Sequence, residues 1–390
     1  MTTPRIALIG SRILPAQAAL FNYVCNHYDL DLTLLLSSEV RTALVDGTEI
    51  ESRNLRQRIF AGKPSKLLSA LGINYDLNID LVSKLISGKY DLYIIAGYHL
   101  FSTQMAFILS IIKSIPSILY VESHGKGKSL SKIAGFSKRI VLSFLVRSVS
   151  AYFAVSSWAK DYLINYGAIP QEIFVIPHLP AGPARPTPAE TSEKEVLRQQ
   201  NGIKSDVSTI LWVGRMVDLK RLDTLLQALM IVQKDAQVQL VLVGSGPDEV
   251  NLRQQAEDLQ LSNVYFVGSK NRRALQDYYR LADVLVLPSS SETFSAVIPE
   301  AMAQGLPIVT TNVVGASADF VVDGSNGFII PPYDALALAA ALTKIIKDKA
   351  LREEMSRKSL EIMAHHSIEK NAEIFMDAIG YALRMNPKKT

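Results

Sequence analysis

Cysteine is almost missing. Cys25 is the only one in 390 residues, so no disulfide framework holds the chain, and a reducing compartment is expected. Within the helical pattern PAQAALFNYVCNHY it reads as a small buried apolar side chain. Long apolar runs are missing as well. Residues 105–112 and 140–146 fall well short of the ~18 needed to span a bilayer. The opening MTTPRIALIG enters a strand-like run without a basic and then apolar leader, so no secretory signal is expected. The histidines show no metal-ligand spacing, and the D-x-D of Asp29 and Asp31 sits at the edge of the strand LTLLL, so no metal is expected.

Acids are missing between Glu122 and Asp161. Over that stretch Lys126, Lys128, Lys132, Lys138, Arg139 and Arg147 alternate with Leu130, Ile133, Phe136, Ile140, Leu142, Phe144 and Leu145. The formal charge of +4 therefore hides an asymmetry: residues 1–185 hold 19 Lys and Arg against 12 Asp and Glu, and the remainder 22 against 25. Such a segment can lie in an anionic membrane surface, or form an amphipathic helix with a solvated basic side; both readings stay open. No nucleic-acid motif accompanies the charge, and nucleic acid is not an expected partner.

Strand-like runs at 5–9, 30–36, 91–96, 117–121, 151–155 and 173–176 alternate with helical patterns, which implies a parallel sheet with crossover helices. A proline-rich stretch at 177–195 then reads as a linker. The alternation restarts at 209–213, 238–243, 264–267, 284–287 and 308–310. The expected class is α/β: a doubly wound Rossmann-like domain over 1–180, a linker over 181–205, and a second such domain over 206–365. Ligands of open α/β sheets bind outside the carboxyl ends of the strands.

The most informative stretch is PSSSETFSAVIPEAMAQG, 288–305. A buried strand (ADVLVL) precedes it and a helix-forming run follows. Pro299 is tolerated in a helix only within the first turn, so the helix is predicted to start near Ser295, a good N-cap. Free N–H groups and the positive end of the helix dipole then point at the loop carrying Glu292, a ready anion site.

Glu292 and Glu300 closely resemble the E-x7-E element of retaining GT-B glycosyltransferases, family 4 (glycosyl transferases group 1). The resemblance implies that Glu292 contacts the donor sugar and Glu300 the ribose, while the backbone of Thr293, Phe294, Ser295, Ala296 and Val297 holds phosphate. ILWVGRMVDLKRL matches the family's G-R-x4-K element, which assigns Gly214, Arg215 and Lys220 to the donor diphosphate; fixed cations there stabilise the charge that grows as the diphosphate leaves. GSGP at 244–247 matches a turn of the family, and the backbone around Ser269 to Asn271 is where the family contacts the base. The match is continuous from about residue 208 to 348 and diffuse before 150. It departs from the family at Arg221, Thr293 and Ser295, where small residues or glycines are usual, at Ala316, where glycine is common, and at Asp319, where glutamate is usual.

In the first domain Gly10 stands alone where the family often has a glycine-rich acceptor loop. Glu122 or His124, at the end of the strand PSILYV, falls where the family places a residue that bonds the donor sugar or acceptor hydroxyl; His99 is a weaker option. The resemblance implies the GT-B fold, with two Rossmann-like domains facing a cleft and a C-terminal helix (366–390) returning to the first domain. It further implies retaining, metal-independent transfer from a nucleoside diphosphate sugar, with no cofactor, to a glycan or lipid-linked acceptor in cell-surface polysaccharide or glycolipid synthesis. The expected place is the cytoplasm, with peripheral contact at the anionic inner face of the plasma membrane as the option the basic segment opens. The rivals are a nucleotide-sugar epimerase and a nucleotide-sugar-binding accessory protein without turnover.

Overall fold

The computed structural model describes residues 3–11, 13–37, 55–59, 63–64, 76–125, 132–180 and 188–385. The chain divides into two compact units. One holds Met1–His124, Ser129–Ala181 and Ile368–Thr390; the other holds Gly125–Lys128 and Gly182–Ser367.

The strands of the first unit are β1 (Arg5–Gly10), β2 (Asp31–Leu36), β3 (Leu55–Ile59), β4 (Lys63–Pro64), β5 (Asp76–Leu77), β6 (Leu92–Ala96), β7 (Ser117–Val121), β8 (Ala151–Ala154) and β9 (Ile173–Val175). Seven of them form a parallel sheet in the order β3-β2-β1-β6-β7-β8-β9, and β4 pairs with β5 antiparallel. All five residues of β7 are buried, as a strand covered on both faces requires. Because β6, β7, β8 and β9 are sequential neighbours, right-handed crossovers place helices Phe101–Lys113, Lys132–Arg147 and Ser157–Asn165 on the same face. Helices Pro15–His27 and Ile368–Arg384 pack together through Phe21 and Phe375, whose ring centroids are 5.8 Å apart, and Phe375 stacks on Phe153 of β8 at 5.1 Å.

The second unit contains β10 (Ser208–Val213), β11 (Val238–Val243), β12 (Val264–Gly268), β13 (Val284–Leu287), β14 (Ile308–Thr311) and β15 (Gly327–Ile330), all parallel in the order β12-β11-β10-β13-β14-β15. From β10 the chain steps outward to β11 and β12, then returns to the other side of β10 as β13. The carboxyl ends of β10 and β13 therefore flank the point where the winding reverses.

One boundary is corrected. The expected linker over 181–205 contains the helix Thr191–Gln200, which is clasped to the second unit. Lys194 reaches Ala282 O at 2.7 Å and Asp283 at 2.9 Å; Arg198 reaches Leu281 O at 2.9 Å and Asp283 at 2.6 Å. Prolines at the start of this stretch mask a helix whose sequence, TSEKEVLRQQ, is strongly helix-forming. Residues 181–187 of that linker, and Lys126, Lys128 and Leu130 of the basic segment, lie outside the described residues.

Candidate functional site

The loops that follow β10 and β13 are tied to each other. Ser290 N–H donates to Leu219 O at 2.9 Å, and the Lys220 ammonium donates to a carboxylate oxygen of Glu292, with both side chains largely buried. The loop after β14 clamps the second of these from its other side: Gly315 N donates to Glu292 O at 3.1 Å and Ala316 N to Phe294 O at 2.8 Å. Phe294, 2% exposed, anchors the loop in the core against Phe320.

The sequence-predicted residues Gly214, Arg215, Lys220, Glu292, Thr293, Phe294, Ser295, Ala296 and Val297 thus meet at the winding reversal. Ser269 and Asn271 follow β12 on the same edge. Arg215 is exposed. Gly244 and Gly246 pack on the loop after β10 so closely that a side chain at either would collide with the backbone of Gly214 or Met216, at 1.8 and 2.1 Å. The GSGP turn therefore requires glycine for backbone approach. Ser245 and Ser269 hydroxyls lie 3.0 Å apart, and Asn271 caps helix Arg272–Leu281 by accepting from Ala274 N at 2.9 Å.

The helix after β13 is short, Val297–Met302, with Pro299 inside its first turn. The expected N-cap is corrected. Ala296 occupies that position, and Ser295 lies one residue earlier with φ of 79°, a left-handed turn that a capping serine does not adopt. Arg221, another of the three departures from small residues, also has a left-handed backbone, with φ of 51°. Its guanidinium pairs with Asp218 and Asp223 and lies 4.7 Å from the ring of Tyr333. Ala316, by contrast, has φ of −67° and needs no glycine.

Glu300 projects from this short helix and accepts a 2.7 Å hydrogen bond from Tyr279. Burial pushes its carboxyl above the usual range, opposed by the Tyr279 hydroxyl and the charge of Arg272. Tyr279 is itself raised, by burial and then by Glu300. Neither Tyr279 nor Arg272 stood out in the sequence, since both fall in an ordinary helical pattern; 21 residues separate Tyr279 from Glu300.

In the first unit, Glu122, Ser123 and His124 follow β7, and Tyr98 and His99 follow β6. Glu122 Oε1 lies 3.4 Å from Nε2 of His178, a residue only 4% exposed that packs edge-on to Tyr120. His124 meets the Trp158 ring at 5.5 Å, and the Tyr98 and Tyr162 hydroxyls are 3.1 Å apart. His178 was hidden inside the proline-rich stretch. Asp29 and Asp31 sit at the opposite, amino end of β2, where Asp29 accepts from Thr3 at 2.7 Å and Asp31 faces Arg56 at 3.4 Å. Cys25 is buried, which pushes its thiol up to about 12.

Comparison with known proteins adds a family. Residues 193–361 match the model of the family described as glycosyl transferases group 1. A D-inositol 3-phosphate glycosyltransferase of Xylanimonas cellulosilytica is 29% identical over 240 residues, 59% of this chain and 56% of that protein. The capsular polysaccharide biosynthesis glycosyltransferase CapM of Staphylococcus aureus is 35% identical over 150 residues, 38% of this chain and 39% of CapM. The match thus spans little more than half the length of the first of these relatives. The crystal structure of Anabaena Alr3699/HepE in complex with UDP superposes with a TM-score of 0.76 at 21% identity, covering 97% of this chain and all of that one. At that identity the likeness establishes a shared fold, the GT-B fold.

Proposed function

We propose that the protein transfers a sugar from a nucleoside diphosphate donor to an acceptor hydroxyl, with retention at the anomeric carbon, a reading supported by the match of residues 193–361 to the model of the glycosyl transferases group 1 family. The observation that carries this reading is the Lys220–Glu292 pair and the Glu300–Tyr279 pair gathered at the winding reversal of one sheet. Arg215 and Lys220 face the diphosphate, Glu292 the sugar, and Glu300 the ribose. The acceptor oxygen bonds to the anomeric carbon as the bond from that carbon to the diphosphate breaks, and the acceptor proton passes to the departing phosphate. The charge that grows on the diphosphate is met by fixed cations, so the reading is metal-independent and turnover persists in chelator.

HepE is solved with UDP and with UDP-glucose, and CapM is named for capsular polysaccharide biosynthesis. UDP-sugars are accordingly the first donors to test, and a glycan or lipid-linked acceptor of cell-surface polysaccharide synthesis, met at the cytoplasmic membrane face, is the acceptor class. Thermal shift across a panel of nucleotide sugars selects the donor. NMR of the transferred anomer then tests retention, and an inverted product overturns it. Donor binding without hydrolysis or transfer to any glycan or lipid acceptor would return the protein to the accessory role.

A further inference from the structure

The outer face of the first unit is unusually apolar. Helices Ile79–Ser87, Phe101–Lys113 and Lys132–Arg147 lie on one side of its sheet. Their inward residues are buried, including Leu81, Leu85, Phe107, Leu109, Leu142 and Val146. Residues one helical face away are also apolar but open to solvent: Ile79 and Ile86, then Ile108, Ile111 and Ile112, then Ile140, Val141 and Phe144. These eight are half of the sixteen large apolar side chains exposed among the described residues. A helix apolar on both faces contradicts the pattern of an ordinary surface helix, and a clustered patch of this kind marks an interaction surface.

Charge identifies the occupant. The second and third helices carry Lys113, Lys132, Lys138, Arg139 and Arg147 and no Asp or Glu. Arg139 and Arg147 are exposed, flanking the exposed Ile140, Val141 and Phe144. Apolar side chains that enter the acyl boundary, ringed by cations at headgroup level, match an anionic bilayer surface. No helix among the described residues is long and apolar enough to cross a membrane. We infer that this three-helix face seats the protein on anionic lipid, with Phe144, Val141, Ile140 and Ile112 inserting and Arg139 and Arg147 meeting headgroups. The inference deepens the membrane-facing part of the reading above, while donor chemistry resides in the other unit and stands without it.

Co-sedimentation of the full chain with vesicles of phosphatidylglycerol and phosphatidylcholine, against phosphatidylcholine alone, tests it. Binding is expected only to the anionic vesicles and should fade as salt rises. K138Q/R139Q/R147Q should weaken it by about tenfold or more at low salt. I140S/V141S/F144S should weaken it similarly, by about tenfold or more, at low and high salt alike. Both variants should keep wild-type thermal stabilisation by nucleoside diphosphate. If I140S/V141S/F144S does not fold, I111S/I112S on the neighbouring helix carries the same test. Equal pelleting of wild type and folded variants overturns the inference, as does the absence of wild-type binding. A wild-type dimer that the apolar variant converts to monomer, without any vesicle binding, would make the face a self-association surface instead. Loss of nucleotide binding in the wild type would count against the donor reading and leave this one untouched.

Discussion

The phenol of Tyr279, whose side chain has no exposed surface, donates a 2.7 Å hydrogen bond to Glu300, the second carboxylate of the motif. That bond works against burial, which favours the neutral acid. One buried donor and the nearby Arg272 therefore favour the charged form of Glu300, the form that the ribose role proposed for it requires.

Replacing Glu300 with Ala should weaken nucleoside diphosphate binding by about 1.5–3 kcal/mol, the range for a hydrogen bond to a charged group. Y279F should weaken it less and shift the pH at which affinity falls upward, since the carboxylate loses a donor. Calorimetric titration from pH 4 to 8 reads both, and an unshifted Y279F profile would separate Tyr279 from the site. Stability should move the other way. The folded Glu300 titrates above its unfolded value, so its contribution is complete below the unfolded value and is lost as pH rises through the folded one. E300Q, which keeps an acceptor for Tyr279, should therefore gain in melting temperature over wild type at pH 7 compared with pH 4.

Arg215 and Lys220 separate chemistry from stability. Arg215 is exposed, so R215A should change stability by no more than about 0.5 kcal/mol. Its turnover should nonetheless fall more than about tenfold, because the cation acts on charge that grows during transfer. K220A should lose turnover and also stability, since Glu292 is left without its ammonium. Single-turnover rates beside melting curves check the pair; unchanged turnover in R215A would remove it from the site.

Most of the second unit was legible because its strands are apolar runs ended by glycine or proline. Its β15 was not, since GFII has only four residues after a turn, nor was β3 of the first unit, where LRQRI interleaves cations with apolar residues. Glu292, Glu300, Arg215 and Lys220 were singled out by their resemblance to family motifs, but the residues that contact them were not. Tyr279 lies in an ordinary helical pattern and His178 in a proline-rich stretch, and only the fold of its own unit brings each to its partner, Tyr279 to Glu300 and His178 to Glu122.

Ser295 and Arg221 show what spacing can and cannot tell. Both stand where the resembled family favours small residues, and both have left-handed backbones. For an L-residue that conformation costs about 1–2 kcal/mol, partly offset in a glycine variant by the unfolded chain's greater freedom. S295G should therefore gain about 0.5–1 kcal/mol. R221G should gain nothing, because it also loses the pairs with Asp218 and Asp223 and the contact with Tyr333. Denaturant midpoints of the two variants test the contrast.

The clasp that turned an expected linker into a helix should be the second unit's acid-sensitive point. Burial alone would raise Asp283, but Lys194, Arg198 and the Thr209 N–H overcome it and hold the carboxyl below its ordinary value. Its stabilisation is present above the unfolded value and is lost as pH falls through the depressed folded one. R198A breaks a buried pair and should cost about 3–5 kcal/mol. The variant should melt earlier at pH 7, and its deficit should narrow towards pH 2; a constant deficit would mean that packing, not charge, is lost.

Glu122 and His124 offered the same strand end two candidates, and their surroundings differ. Glu122 faces the buried His178 at 3.4 Å, while His124 packs against the Trp158 ring. A carboxylate oriented by an imidazole fixed in the core suits a group that must hold an acceptor hydroxyl in a set direction. E122Q should therefore lower kcat by about tenfold or more, because the acceptor hydroxyl loses its set direction, and leave the nucleotide dissociation constant unchanged. H178N, which removes the ring while keeping polar atoms, should reproduce part of that loss through Glu122, and the E122Q/H178N double variant should lose little more than E122Q alone. H124A should change the acceptor KM rather than kcat. Additive losses in the double variant would show that His178 acts independently of Glu122, and a kcat loss confined to H124A would transfer the role to the histidine two residues on.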